Sequence, residues 1–314
     1  MFIDQTALKT ILDWQGLIAS IESVFETGCE MPMRHHHTMA VSGQEDATLL
    51  LMPAWTQDGF LGVKLVNVFP SNGALGLPSI NSLYVLSSAT TGERLAMMDG
   101  GELTARRTAA ASALASRFWS RSDATTMLMV GTGRLALNLI EAHASQRPLS
   151  TINLWGRRLA PLQSLAESVE ALGLQVNIFQ GDSIASAVKS SDIVSCATLS
   201  KEPLIQGAWL QPGTHVDLVG GFTPTMREAD DEAIRRAIVS VDTRAGAMKE
   251  AGDIVVPLAS GVLQPSAIVA DLYDLCRGQH AGRTNADDIT LFKSVGAACE
   301  DLAGAMYAYQ KYRS

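Results

Sequence analysis

The chain has 314 residues, 47% of them hydrophobic and 18% charged; this is a globular composition, long enough for two domains, and it excludes a disordered, collagen-like or disulfide-stapled chain. The formal charge of −8 disfavours nucleic acid as a partner. No apolar run reaches the roughly 18–20 residues of a membrane span, and the amino terminus lacks the basic and apolar regions of a secretory leader.

The first 25 or so residues read as helix. Leu8, Ile11 and Leu12 form one apolar stripe, Asp13 is a plausible cap, and Leu17, Ile18, Ile21, Val24 and Phe25 continue the pattern until Pro32 breaks it. From Met33 to about Met98 the texture is that of strands, with Asp58-Gly59, Ser71-Asn72-Gly73 and Thr91-Gly92 as turns. An Ala-rich helix follows, from about Leu103 to Trp119. After Thr125, short apolar strands alternate with helices, the mark of βαβ units and a parallel sheet. The segment from about Asp287 reads as a final helix carrying Leu291, Phe292, Val295, Leu302 and Met306. The fold class is therefore α/β: a Rossmann-type doubly wound parallel sheet domain plus an α+β domain. The expected boundaries are 1–118 with 285–314 for the α+β domain and 119–284 for the Rossmann-type domain.

Strand Thr126–Val130 runs into Gly131-Thr132-Gly133-Arg134-Leu135-Ala136, and an amphipathic helix follows. The first glycine allows a tight turn, the second lets backbone approach a pyrophosphate, and the small third residue lets helix and strand pack closely. That context points to a dinucleotide; a structural glycine turn is the alternative. The next strand ends in Trp155-Gly156-Arg157-Arg158, without the acidic residue that accepts from the ribose of NAD. Two guanidinium groups suit a 2′-phosphate, so NADPH is preferred over NADH. Two solvated loop arginines are the plainer reading.

Lys64 lies mid-strand among apolar neighbours, with Gly62 and Val66 on its own face. A charge there is costly unless used, and a desolvated lysine exchanges protons near neutrality. An edge-strand lysine that blocks aggregation fits the same pattern. Arg34, Arg106 and Arg107 could each hold a carboxylate, or lie on the surface. His35-His36-His37 does not read as a metal site, because consecutive residues of an extended segment face opposite sides; no metal is expected. Cys29, Cys196, Cys276 and Cys299 have neither zinc nor redox spacing and read as reduced thiols of a cytoplasmic protein.

Taken together, several segments resemble the ornithine cyclodeaminase and mu-crystallin family, which includes NADPH-dependent ketimine reductases. They are Pro32-Met33-Arg34, Gly62 through Pro70, Met98-Asp99-Gly100, Leu103 through Ser112, the glycine loop, Gly207 through His215 and Thr290 through Gly296. The resemblance spans nearly the whole chain, in order. It implies a homodimer, a final helix returning to the first domain, and a nicotinamide cofactor on the second. Arg34 and Arg107 match the family's carboxylate-binding arginines, Lys64 its active-site lysine and Thr108 a residue near the cofactor phosphates. Thr198 and Leu199 fall where the family contacts the nicotinamide half.

One departure separates the activities of the family. Cyclodeaminases and the related alanine dehydrogenases carry a catalytic aspartate after a Gly-Gly pair; here Gly220-Gly221 is followed by Phe222. Phenylalanine cannot accept a proton or activate water, and reduction of a preformed iminium does not require that step. The expected reaction is thus NADPH-dependent reduction of a small cyclic imino acid, Δ1-pyrroline-2-carboxylate and/or Δ1-piperideine-2-carboxylate. An ornithine cyclodeaminase and a non-enzymatic NADPH binder resembling mu-crystallin are the alternatives.

Overall fold

The computed structural model describes residues 1–313. The chain divides into two compact units: Met1–Arg107 together with the chain from Ala298 onward, and Thr108–Ala297.

Unit 1 begins with strand β1 (Phe2–Ile3) and helices α1 (Gln5–Ile11) and α2 (Trp14–Thr27). The break between the helices is the Asp13 cap, whose carboxylate accepts from the Gly16 N–H at 2.9 Å. Strands β2 (His35–Met39), β3 (Ala47–Trp55), β4 (Phe60–Val68), β5 (Ile80–Ser88) and β6 (Arg94–Asp99) build a sheet in the order β1-β6-β5-β4-β3-β2. All neighbours are antiparallel except β1 and β6. Helix α2 buries Leu17, Ile18, Ile21, Val24 and Phe25, the stripe expected from spacing. The C-terminal helix (Ala298–Arg313) packs against α2, β3 and β4.

Helix α3 (Gly100–Trp119) carries the chain from one unit into the other, the division falling after Arg107. Unit 2 is a parallel sheet of β7 (Thr126–Val130), β8 (Thr151–Trp155), β9 (Gln175–Phe179), β10 (Ile193–Cys196), β11 (His215–Leu218), β12 (Ile238–Val241), β13 (Ile268–Asp271) and β14 (Thr290–Lys293). The order is β13-β12-β14-β11-β10-β7-β8-β9, with every neighbouring pair parallel. The order reverses between β7 and β10, the place where doubly wound sheets bind ligands beyond their strand ends.

Three features differ from the sequence reading. Phe2–Ile3, in the stretch read as helix, are a strand paired to β6. Thr290–Lys293 are a strand between β11 and β12, not the start of the last helix, so they lie in unit 2 although 285–314 were expected in the first domain. All four residues are buried, and a strand covered on both faces is apolar without alternation, which at this length cannot be told from a turn of helix. Strand β13 had no sequence assignment; it is a short edge strand paired to β12 alone.

Candidate active site

In unit 1 the charged residues gather on the inner face of the sheet. Strand β4 is central, flanked by β3 and β5, so Lys64 is not an edge lysine. It is 3% exposed, opposite Met52 on one side and Tyr84 on the other. Its Nζ lies 2.9 and 2.8 Å from the two carboxylate oxygens of Asp301 in the C-terminal helix, and 3.3 Å from Thr104 Oγ1 in α3. Burial pulls the Lys64 ammonium down to about 8 against the attraction of Asp301; the charges of Arg107 and Arg34 push the same way as burial.

Arg107 is also buried. Its Nε donates to Asp301 Oδ1 at 2.8 Å and its Nη1 to Glu300 Oε2 at 2.5 Å. Asp301 therefore binds both cations. Burial disfavours its charge, but Arg107 and Lys64 together hold its carboxyl below the usual range. Lys64 and Arg107 balance Glu300 and Asp301 in formal charge, and the charge of Arg34 is felt at Lys64. Desolvated cations of this kind suit a small carboxylate. Arg106 is committed elsewhere, to Glu102 and to the Leu12 carbonyl. The histidines lie on edge strand β2, where His35 and His37 share a face with ring centroids 6.3 Å apart.

In unit 2 a cleft of about 330 Å³ opens at the strand-order reversal. Its lining includes Gly131, Thr132 and Gly133 after β7, Gly156, Arg157 and Arg158 after β8, and Ala197, Thr198 and Leu199 after β10. Gly131 has φ 107°, and a Cβ there would meet the Ala197 carbonyl oxygen at 2.7 Å, so only glycine fits that turn. Arg157 and Arg158 are exposed, so their heads are available to a ligand. Arg134 and Leu135 lead from the glycine turn into helix α4 (Ala136–Ala144), and neither lines the cleft; Thr108, in α3, does not line it either.

Residues 5–314 match the sequence profile of the ornithine cyclodeaminase/mu-crystallin family. The chain belongs to that family. An uncharacterised protein of Schizosaccharomyces pombe is 48% identical over 98% of this chain and 96% of its own length. A Δ(1)-pyrroline-2-carboxylate reductase of Colwellia psychrerythraea is 35% identical over 96% of this chain and 95% of its own. Among solved structures, the Thermococcus litoralis Δ(1)-pyrroline-2-carboxylate reductase, in complex with NADH and L-proline, superposes with a TM-score of 0.92 and 31% identity, covering 100% of this chain and 97% of that one.

For this family member, the structure groups Lys64 with Arg107 in one unit and Gly131, Thr132, Gly133, Arg157, Arg158, Thr198 and Leu199 around one cleft in the other. Sequence reasoning missed Asp301 and Glu300, which hold the cations of unit 1, and Glu228, Asp253 and Lys293, a fully buried charged set in unit 2. For all but Glu228 the signal resembles the one that picked out Lys64: charge set among apolar or small residues. Glu300-Asp301 sits between Ala297-Ala298-Cys299 and Leu302-Ala303-Gly304, and Lys293 ends an apolar strand.

Proposed function

We propose that this protein reduces cyclic ketimine carboxylates with NADPH, converting Δ1-pyrroline-2-carboxylate or Δ1-piperideine-2-carboxylate to L-proline or L-pipecolate. That it is an oxidoreductase acting on a carbon–nitrogen bond rests on its family and on its similarity to the pyrroline-carboxylate reductases. The choice of substrate rests on one observation above the others: a buried lysine and a buried arginine bonded to the same carboxylate, Asp301, with phenylalanine and no further acid at position 222.

Arg107 and Arg34 hold the substrate carboxylate. The Arg107 Nε and Nη1 are anchored by Asp301 and Glu300, which fixes the guanidinium plane and leaves Nη2 for the substrate. Lys64, oriented by Asp301 and Thr104, passes a proton from its ammonium to the lone pair of the imine nitrogen, giving the iminium and a neutral amine that takes a proton back from solvent. These contacts hold the imine carbon in one orientation, and fixed orientation is a large part of catalysis. The cofactor, when bound, supplies a hydride to that carbon.

The residues of unit 2 fit the cofactor. The turn at Gly131 leaves no room for a side chain, and Arg157 and Arg158, at the cleft after β8, supply guanidinium groups suited to a 2′-phosphate. Phe222 is 45% exposed and offers no proton acceptor, which disfavours the cyclodeaminase reaction. We take the working form to be a homodimer, as the family resemblance implies, and its compartment to be the cytoplasm, as the spacing of the four cysteines suggests. Among the described residues no helix is long and apolar enough to cross a membrane.

Two outcomes test this reading. Changing Arg157 and Arg158 together to serine weakens NADPH by about tenfold or more and leaves NADH nearly unchanged, since each lost charge-assisted hydrogen bond is worth about 1.5–3 kcal/mol. A wild-type protein that prefers NADH contradicts the choice of cofactor. Lys64 works as the ammonium, and its folded value is about 8, so kcat/KM for the imine falls as pH rises through about 8. The Lys64→Met variant lacks that limb; an identical limb in both proteins assigns it to another group.

A further inference from the structure

We propose that Glu228 is a positioning residue for the cofactor, holding the Thr198–Leu199 turn in the shape that the nicotinamide half of NADPH binds. The proposal deepens the functional reading above and depends on the cleft of unit 2 being the NADPH site.

Glu228 has no exposure to solvent. Its Oε1 accepts two hydrogen bonds from one residue, from the Thr198 N–H at 2.7 Å and the Thr198 hydroxyl at 2.8 Å. The Thr198 hydroxyl in turn accepts from the Ser200 N–H at 3.3 Å, closing a compact turn. That turn forms one wall of the cleft, and Thr198 Cγ2 would lie 3.2 Å from a Cβ at Gly131. The Leu199 side chain, 70% exposed, is therefore displayed by a backbone that Glu228 fixes.

Glu228 is itself held from two sides. The Glu228 and Ala229 N–H groups donate to Asp253 Oδ1 at 2.8 and 3.0 Å. The Glu228 carbonyl accepts from the N–H groups of Leu204 and Ile205, both at 2.9 Å. Lys293, at the end of β14, donates to the carbonyls of Leu218 and Gly220 and sits 3.7 Å from Asp253 Oδ2. Gly220 must be glycine here: a Cβ would meet the Thr198 carbonyl oxygen at 2.1 Å and Glu228 Oε1 at 2.5 Å. Three buried charged side chains thus join the C-terminal ends of β10, β11 and β14. Burying charge is costly, and a carboxylate spent on one turn of backbone is explained by the need to keep that turn in place before the ligand arrives. Burial pushes the Glu228 carboxyl up to about 7, with Lys293 opposing the rise; charged or protonated, Oε1 remains an acceptor for Thr198.

The test compares Glu228→Ala and Glu228→Gln by calorimetry with two probes, NADPH and adenosine 2′,5′-bisphosphate, which carries only the adenosine half. Glutamine keeps the acceptor; alanine does not. The expected result is about a tenfold loss of NADPH affinity in Glu228→Ala, retention within about threefold in Glu228→Gln, and adenosine bisphosphate affinity unchanged in both. Equal loss of both probes in Glu228→Ala makes the residue a general prop for the unit and overturns the proposal. Wild-type NADPH affinity in Glu228→Ala overturns it too. If Glu228→Ala does not fold, Glu228→Asp, which keeps the carboxylate but is one methylene too short to reach Thr198, carries the test: a loss of about threefold or more for NADPH alone supports the proposal and no loss refutes it. A wild-type protein that binds no NADPH removes the cofactor reading itself.

Discussion

Lys64→Met is expected to lower kcat for imine reduction by about 10²–10⁴-fold, the usual contribution of a positioned proton donor. NADPH affinity should be nearly unchanged, because Lys64 belongs to unit 1 and the cleft assigned to the cofactor is built from unit 2 residues alone. The fold should survive. Some stability is lost, because the buried Asp301 carboxylate gives up the Lys64 ammonium at 2.8 Å, but it keeps the Arg107 Nε at 2.8 Å, and methionine fills the space of the lysine stem. Steady-state kinetics and a direct NADPH titration on the same preparation check both halves. A kcat within a few-fold of wild type removes Lys64 from the chemistry and leaves it as a structural ion-pair partner of Asp301.

Arg107→Ala should be the more damaging change, acting on stability and on substrate together. It strips the buried Glu300 carboxylate of its 2.5 Å partner and leaves Asp301 with Lys64 alone. Breaking a buried pair by removing one partner costs about 3–5 kcal/mol, so a large fall in denaturant midpoint is expected. KM for the imine should rise steeply as well, because the proposed clamp on its carboxylate is gone. The two effects can be separated. Glu300→Gln, added to Arg107→Ala, removes the buried negative charge that faced Arg107 while Asp301 stays paired with Lys64, and should recover much of the stability while leaving KM high. Recovery of KM along with stability makes Arg107 a scaffold residue and places substrate recognition elsewhere.

What was legible in the sequence follows from the range over which each signal acts. Local periodicity was enough for α2, for β4 and for the strand-turn-helix around Gly131, because burial on one face or a forced turn geometry leaves its mark within a few residues. Lys64 could be singled out for the same reason: its strand is apolar on both sides. What that lysine meets could not. Its partner Asp301 lies 237 positions away, on a helix whose small residues let it approach the sheet closely. The strand Thr290–Lys293 was misread as helix because a four-residue buried stretch carries no period. Glu228 sat unnoticed beside Arg227 in what reads as a polar loop; only the fold shows that it is fully buried and turned onto Thr198.

The position after Gly221 matters most for choosing between activities. An acid there would supply the proton acceptor that ammonia loss and water attack need; Phe222 does not. The acids near that stretch, Glu228 and Asp253, are fully buried and bonded to Thr198 and to backbone N–H groups. They are structural neighbours of the turn, with no exposed face for a substrate.

The most direct measurement is therefore made on the wild-type protein alone. Oxidation of NADPH is followed by its absorbance with Δ1-pyrroline-2-carboxylate and with Δ1-piperideine-2-carboxylate, while ammonia release is followed with L-ornithine and NAD. Turnover of one or both imines with NADPH, and no ammonia from ornithine, is the predicted result. Ornithine turnover at a rate comparable with imine reduction, or NADPH binding without turnover of either imine, would contradict it.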